Sequence, residues 1–331
     1  VHCPSCEHYD QVHGRILIIK LGAAGDVLRT TCLVQGLRNK YPQHEIWWIT
    51  QSPELLPSSV DKKLSLTAEN MLTVESIAFD VAINLDKDLP ACALMHRVKA
   101  TTRFGFTLVD ARPAPVNELA QHKFVTGLFD DLSKQNAKSY PQEIYEICGM
   151  TYDGQEYMLD APASLPRPTT KPIIGLNTGC GDRWISREWP STSWESLIGI
   201  LQDRGYDVLL LGGPAEHERN VRYSERTGSR YAGVMPMREF IAHVNTCDVV
   251  VTAVTLAMHI TIGLKKQLVL MNNIFNPHEF ELYGRGVLLH PDKPCHCYFK
   301  NTCEHQAYQC MDHLAPVTVA DAVTERLQHV H

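Results

Sequence analysis

The sequence has no apolar run approaching the roughly 20 residues that a helix needs to cross a bilayer, so a helical membrane protein is not expected. Its first residues, VHCPSCEHYD, hold no basic segment followed by an apolar one. No secretory signal is read there, and a cytoplasmic protein is the expectation. There is no excess of positive charge: 31 Lys and Arg against 37 Asp and Glu leave a formal charge of −6. Nucleic-acid binders carry a basic footprint, so that class is set aside, while a local basic groove for an anionic substrate stays compatible. Low-complexity tracts are missing too. No G-x-G-x-x-G follows the first strand, which disfavours a dinucleotide cofactor.

What is present suits a soluble α/β protein: 331 residues, 44% hydrophobic and 21% charged, long enough for two cores. Eleven cysteines are many for such a chain. Cys32, Cys92, Cys148, Cys180 and Cys247 are isolated in apolar or helical patterns and read as buried small hydrophobes. Cys3 and Cys6 form a C-x-x-C, and Cys295, Cys297, Cys303 and Cys310 cluster near the other end. That cluster could give four thiolates to a structural zinc or iron, with no coordination position left for catalysis. Disulfides are the alternative, disfavoured in a reducing compartment.

Arg15 to Leu21 (RILIIKL) is a short continuous apolar run, as expected of a buried parallel strand. Gly22-Ala23-Ala24-Gly25 follows, then a helical pattern from Asp26. Residues 45–50 and 79–85 read as further strands, giving the alternation of a parallel sheet. Residues 86–140 are less regular. Four prolines between Ala161 and Pro172 mark a linker. The alternation then resumes, with strands at 172–177, 207–211, 248–252 and 267–271, helices between them, and a last helix at 317–327. The expected architecture is two Rossmann-like α/β domains facing a cleft. Residues 1–165 form the acceptor-side domain and 166–316 the nucleotide-sugar domain. Residues 317–331 form a helix that packs back on the first. Such halves bind ligands outside the carboxyl ends of their strands.

Three turns are placed to carry chemistry. The Gly22–Asp26 loop follows the first strand. Its glycines let a ligand approach closely, and Asp26 is either a helix cap or a general base on a hydroxyl. Thr178-Gly179-Cys180-Gly181-Asp182-Arg183-Trp184, with Arg187 beyond, is glycine-rich and holds two guanidinium groups, which pair phosphate oxygens bidentately. At Thr255-Leu256 a strand meets a helix whose first N–H groups could hold a phosphate; His259 follows on that helix, where a core histidine is the commoner reading.

Taken in order, ILIIKLGAAGDVLRTT (16–31), NLDKDLPACAL (84–94), SYPQEIYEICGM (139–150), GLNTGCGDRWISREWP (175–190), LLLGGPAEHERN (209–220), TLAMHITIGL (255–264) and ELYGRG (281–286) resemble glycosyltransferase family 9, the bacterial lipopolysaccharide heptosyltransferase family. The resemblance implies a GT-B fold and metal-independent inverting transfer from an ADP-heptose-like donor. The implied acceptor is a glycan or lipopolysaccharide core at the cytoplasmic membrane face. Asp26 matches the catalytic aspartate, with Gly25, Lys99 and Arg103 as acceptor-side candidates. Thr178, Gly179, Arg183, Arg187, Glu216, Thr255, Leu256 and His259 match the donor side. Val254 stands where the family generally has aspartate, a carboxylate that would hydrogen-bond donor sugar hydroxyls. Two competing readings stay open: a non-catalytic nucleotide-sugar-binding relative and a nucleotide-sugar epimerase.

Overall fold

The computed structural model describes residues 12–163, 165–181, 183–305 and 307–330. Cys3 and Cys6 lie outside the described residues. The chain forms two compact units. The first runs to Phe129 and includes Tyr140–Met158; the second holds Asp130–Ser139 and the chain from Leu159 onward.

The first unit contains β1 (Gly14–Ile19), α1 (Ala24–Thr30), α2 (Cys32–Lys40), β2 (His44–Thr50), β3 (Lys62–Ser65), α3 (Ala68–Ser76) and β4 (Ala78–Asn84). It continues with α4 (Leu89–Arg97), β5 (Lys99–Val109), β6 (Arg112–Pro115) and α5 (Gln121–Thr126). After α6 (Asp130–Gln135), which belongs to the second unit, α7 (Tyr140–Ile147) completes the first. The sheet order is β3-β2-β1-β4-β5-β6, parallel except for β6. β1 is central and wholly buried from Ile16 to Ile19, which is why its sequence is a continuous apolar run. Asp88 caps α4 by accepting from the Ala91 N–H at 2.9 Å.

The second unit holds β7 (Ile173–Asn177), α8 (Ser191–Asp203), β8 (Asp207–Leu211), α9 (His217–Thr227), β9 (Arg230–Tyr231) and α10 (Met237–Thr246). β10 (Val249–Ala253), α11 (Leu256–Gly263), β11 (Gln267–Met271), β12 (Gly286–Leu289) and α12 (Pro316–Leu327) follow. Its parallel sheet runs β12-β11-β10-β7-β8-β9. α8 buries Trp194, Leu197, Ile198 and Leu201, spaced as one helical stripe. Both sheets have the doubly wound order whose direction of winding reverses once. The reversal falls between β1 and β4 in the first unit and between β7 and β10 in the second. Ligands of open α/β sheets sit at that reversal, outside the strands' carboxyl ends.

Two expectations about domain limits change. The division falls between Met158 and Leu159, ahead of the proline-rich stretch, and residues 130–139 leave the first unit for the second. The last helix lies within the second unit. Val319, Ala320, Ala322 and Val323 of α12 enter the core built by Trp194, Leu197 and Leu201, because this apolar face meets the stripe of α8.

Candidate functional site

At the reversal point of the second sheet lies a cavity of about 490 Å³. The carboxyl ends of three strands supply its walls: Asn177, Gly179 and Cys180 after β7, Gly212 to Glu216 after β8, and Thr255 to Ala257 after β10. Met235, Met237 and Phe240 form an apolar side, and Arg187 contributes a cation. Asn177 donates to the Thr252 and Thr255 hydroxyls at 3.1 and 3.3 Å, joining β7 to the turn after β10. The buried Glu216 accepts from the Gly213 N–H at 2.8 Å. A Cβ at Gly179 would overlap the Glu216 carboxylate, so this loop needs glycine to pass.

Arg187 is only 6% exposed, and its guanidinium donates to two carbonyls, Cys180 O at 2.6 Å and Trp184 O at 3.3 Å. It lies 5.3 Å from the centre of the Phe275 ring. Among the described residues no carboxylate forms an ion pair with it. Burial therefore works against its charge and brings its pKa down to about 10. Its short helical turn (Ile185–Arg187) is fixed by Ser186, which donates to Lys300 O at 2.6 Å and accepts from Asn273 at 2.8 Å. A buried, immobilised cation with no counter-charge among the described residues, at a cavity wall, is suited to an anionic ligand.

Of the donor-side residues singled out in the sequence, Gly179, Arg187, Glu216, Thr255 and Leu256 line this cavity, and three do not. Thr178 is buried and donates to Asn220 at 2.6 Å, tying the end of β7 to α9. Arg183 is exposed and stacks on Trp184 at 5.1 Å. His259 is buried within α11. The apolar trio Met235, Met237 and Phe240 gave no motif, since such residues read as core.

In the first unit the loop after β1 carries Asp26. Ala23 is the N-cap of α1 and Asp26 its third residue, so the capping reading is not what the fold uses. Asp26 is paired with Arg29 at 2.7 Å. The buried Lys20 donates to Gly22 O at 2.6 Å and to Asp86, holding the loop in place. Gly25 lies in the first turn of α1 beside Asp26. Neither basic acceptor-side candidate reaches this loop. Lys99 opens β5 opposite Ala78, at the amino-terminal edge of the parallel strands, whereas Asp26 follows their carboxyl ends. Arg103 is occupied by Met95 O and Val98 O at the end of α4.

Residues 72–309 match the sequence profile of Glycosyltransferase family 9 (heptosyltransferase). The chain belongs to that family. Among curated family-9 relatives, lipopolysaccharide heptosyltransferase 1 of Pseudomonas aeruginosa is 22% identical over 325 residues, covering 88% of each chain. The structure of Escherichia coli ADP-heptose lipopolysaccharide heptosyltransferase II superposes with a TM-score of 0.71 at 16% identity, covering 95% of this chain and 99% of that one. TibC, a dodecameric iron-containing heptosyltransferase of enterotoxigenic E. coli solved with ADP-D-β-D-heptose, gives a TM-score of 0.62 at 11% identity over 97% of this chain and 78% of that one. The fold is thus the two-unit GT-B class expected of a family-9 glycosyltransferase. No helix among the described residues is long and apolar enough to cross a membrane.

The iron of TibC raises the question of the cysteines in this family-9 chain. The five isolated ones are buried and free, and burial pushes the Cys148 and Cys247 thiols up to about 12. The four clustered ones interact electrostatically with one another; Cys295 Sγ accepts from the Cys297 N–H at 3.4 Å, and the Cys303 thiol faces the Tyr308 carbonyl at 4.0 Å. Cys310 also accepts from Asn273 at 3.3 Å. Among the described residues no group of three or more His, Cys, Asp or Glu is placed to hold a metal ion.

Proposed function

We propose that this family-9 chain is an inverting glycosyltransferase. It moves a sugar, heptose by the family's preference, from an ADP-linked donor to a glycan or lipopolysaccharide-core acceptor. The observation that carries the reading is Arg187, a buried guanidinium held by carbonyls at the wall of a 490 Å³ cavity. A diphosphate would supply Arg187 with a counter-charge. The first N–H groups of α11, at Leu256 and Ala257, face the same space and favour anions. Met235, Met237 and Phe240 suit the flat apolar face of a nucleobase, and the Glu216 carboxylate suits ribose hydroxyls.

In the proposed chemistry the acceptor hydroxyl oxygen attacks the anomeric carbon while Asp26 takes its proton. The bond from that carbon to the diphosphate breaks, and the electron pair leaves with the phosphate oxygen. Arg187 and the start of α11 balance the growing charge. With an acceptor presented at the cytoplasmic membrane face, the enzyme would work as a peripheral protein. Val254 supports a donor sugar read without a carboxylate at that turn, and equally a relative that binds donor without turning it over.

Calorimetric titration with ADP, ADP-heptose and UDP on wild type and Arg187→Ala tests the donor half. ADP species should bind in preference to UDP. Removing the guanidinium should weaken them ten- to a hundredfold, as about 1.5–3 kcal/mol per charged hydrogen bond implies. Absence of binding by every ADP species would remove the donor assignment. Asp26→Asn should bind donor normally and turn over at least about a hundredfold more slowly.

A further inference from the structure

Asp26 and Arg29 stand three residues apart on α1 and therefore share a face of the helix. Such pairs on a helix surface are usually loose and contribute only about 0.2–0.5 kcal/mol. This one is built differently. The Arg29 side chain is 14% exposed, and its guanidinium carbon lies 3.6 Å above the centre of the Tyr140 ring on α7 while Nη2 holds Asp26 Oδ1 at 2.7 Å. The Tyr140 hydroxyl is 3.0 Å from Thr30 Oγ1, and that hydroxyl donates to the backbone carbonyl of Asp26 at 2.7 Å. Carboxylate, guanidinium, ring and helix turn thus form a closed circuit that fixes both the side chain and the backbone of Asp26.

Among the described residues, the neighbouring cations Lys20, Lys123 and His122 have other hydrogen-bonding or ion-pair partners. Lys20, at the end of β1, acts on Asp26 at longer range but spends its hydrogen bonds on Asp86 and Gly22 O. Lys123 of α5, 5.3 Å from the centre of the Tyr140 ring, pairs with Glu143 of α7 at 2.5 Å, and His122 approaches the same carboxylate at 3.5 Å. Tyr140 and Tyr157, both buried, keep their protons because burial opposes the phenolate.

We propose that Arg29 is a positioning residue: it clamps one oxygen of Asp26 against the Tyr140 ring and favours the charged form of the carboxylate, the form that can receive a proton. The inference deepens the reading of Asp26 as the base and rests on it for its catalytic meaning. A structural strut would need only the guanidinium's packing. A residue that tunes Asp26 needs its charge, and the two are separable.

The test uses the full chain labelled with carbon-13 at the aspartate carboxyls, titrated by NMR from pH 3 to 7, with Asp26→Asn identifying the Asp26 signal. Arg29→Gln keeps a planar polar end over Tyr140 without the charge. It should raise the Asp26 midpoint by about one pH unit, the size of shift that loss of a close cation produces. Arg29→Lys keeps the charge without the plane and should stay within a few tenths of a unit of wild type. Coincident midpoints in wild type and Arg29→Gln would overturn the proposal, and so would an Arg29→Lys midpoint that moves as far as that of Arg29→Gln. Turnover by Asp26→Asn is read separately. Near-normal turnover there would end the base assignment and leave the measured coupling between Asp26 and Arg29 as it stands.

Discussion

At the residue scale, the two decisive side chains are held in opposite ways. Asp26 has a cation beside it, whereas Arg187 has, among the described residues, carbonyl dipoles and an aromatic face. The consequence for Arg187 is a pH dependence of donor binding. Its pKa is lowered to about 10, and the form that binds phosphate is the protonated one, present below that value. ADP affinity of wild type should therefore hold steady from pH 8 to about 9.5 and fall as pH rises through 10, while Arg187→Ala, already weak, shows no step there. Titration across pH 8–11 checks this. Gly179 offers a second residue-scale prediction. Gly179→Ala places a Cβ into the Glu216 carboxylate, so Glu216 must leave the Gly213 N–H or the β7 loop must move. ADP binding should drop at least about tenfold with little change in melting temperature, since the loss concerns one cavity wall.

At the element scale, the chain reads well wherever a strand is buried on both faces. β1, β7, β8, β10 and β11 are continuous apolar runs because neighbours cover both sides. β3, β9 and β12 are edge or near-edge strands of two to four residues, too short to show a period. β5 is half-exposed and mixes Lys, Thr and Arg with phenylalanines, so its eleven residues carry no buried run. The site follows the same logic. Gly179, Arg187, Thr255 and Leu256 could be located because each lies in a segment that follows a buried strand, and Glu216 through the family resemblance. Thr178 could not be told from its neighbours, because consecutive residues of extended chain point to opposite sides and only the fold decides which side is the cavity. Asp248, at the start of β10, illustrates an element held by charge. Burial alone would raise its pKa, but Arg167, at 2.7 and 2.9 Å, and the Ile173 N–H hold it below the usual carboxylate range. The native state thus binds fewer protons there than the unfolded chain. The stability it contributes is present above the unfolded pKa and is lost as pH falls through the folded one. Asp248→Asn should be less stable than wild type at pH 7, and the difference should shrink toward pH 3. Urea unfolding at the two pH values measures it.

At the scale of the whole molecule, each sheet reverses its winding once, and each reversal carries one half of the proposed chemistry: Asp26 in the first unit, the Arg187 cavity in the second. Donor binding should therefore be read out by one unit. In hydrogen exchange with saturating ADP, protection is expected in segments 178–188, 212–217, 235–240 and 255–257. The loop at 22–26 should exchange as it does without ligand. Equal protection of both sets would place the nucleotide elsewhere.

The excursion of residues 130–139 has a consequence for recombination. The side chain of Asn276 donates to the carbonyls of Ser133 and Asn136, at 2.6 and 2.7 Å, so this ten-residue stretch is bolted into the later part of the chain. A chimera made by one crossover at Leu159 would bring in a new residue 276 while leaving the old 130–139 stretch upstream. Transplanting donor preference between relatives therefore calls for two exchanged segments rather than one. Homologues that diverged by shuffling whole halves would be expected to keep 130–139 matched to 276, however different the rest.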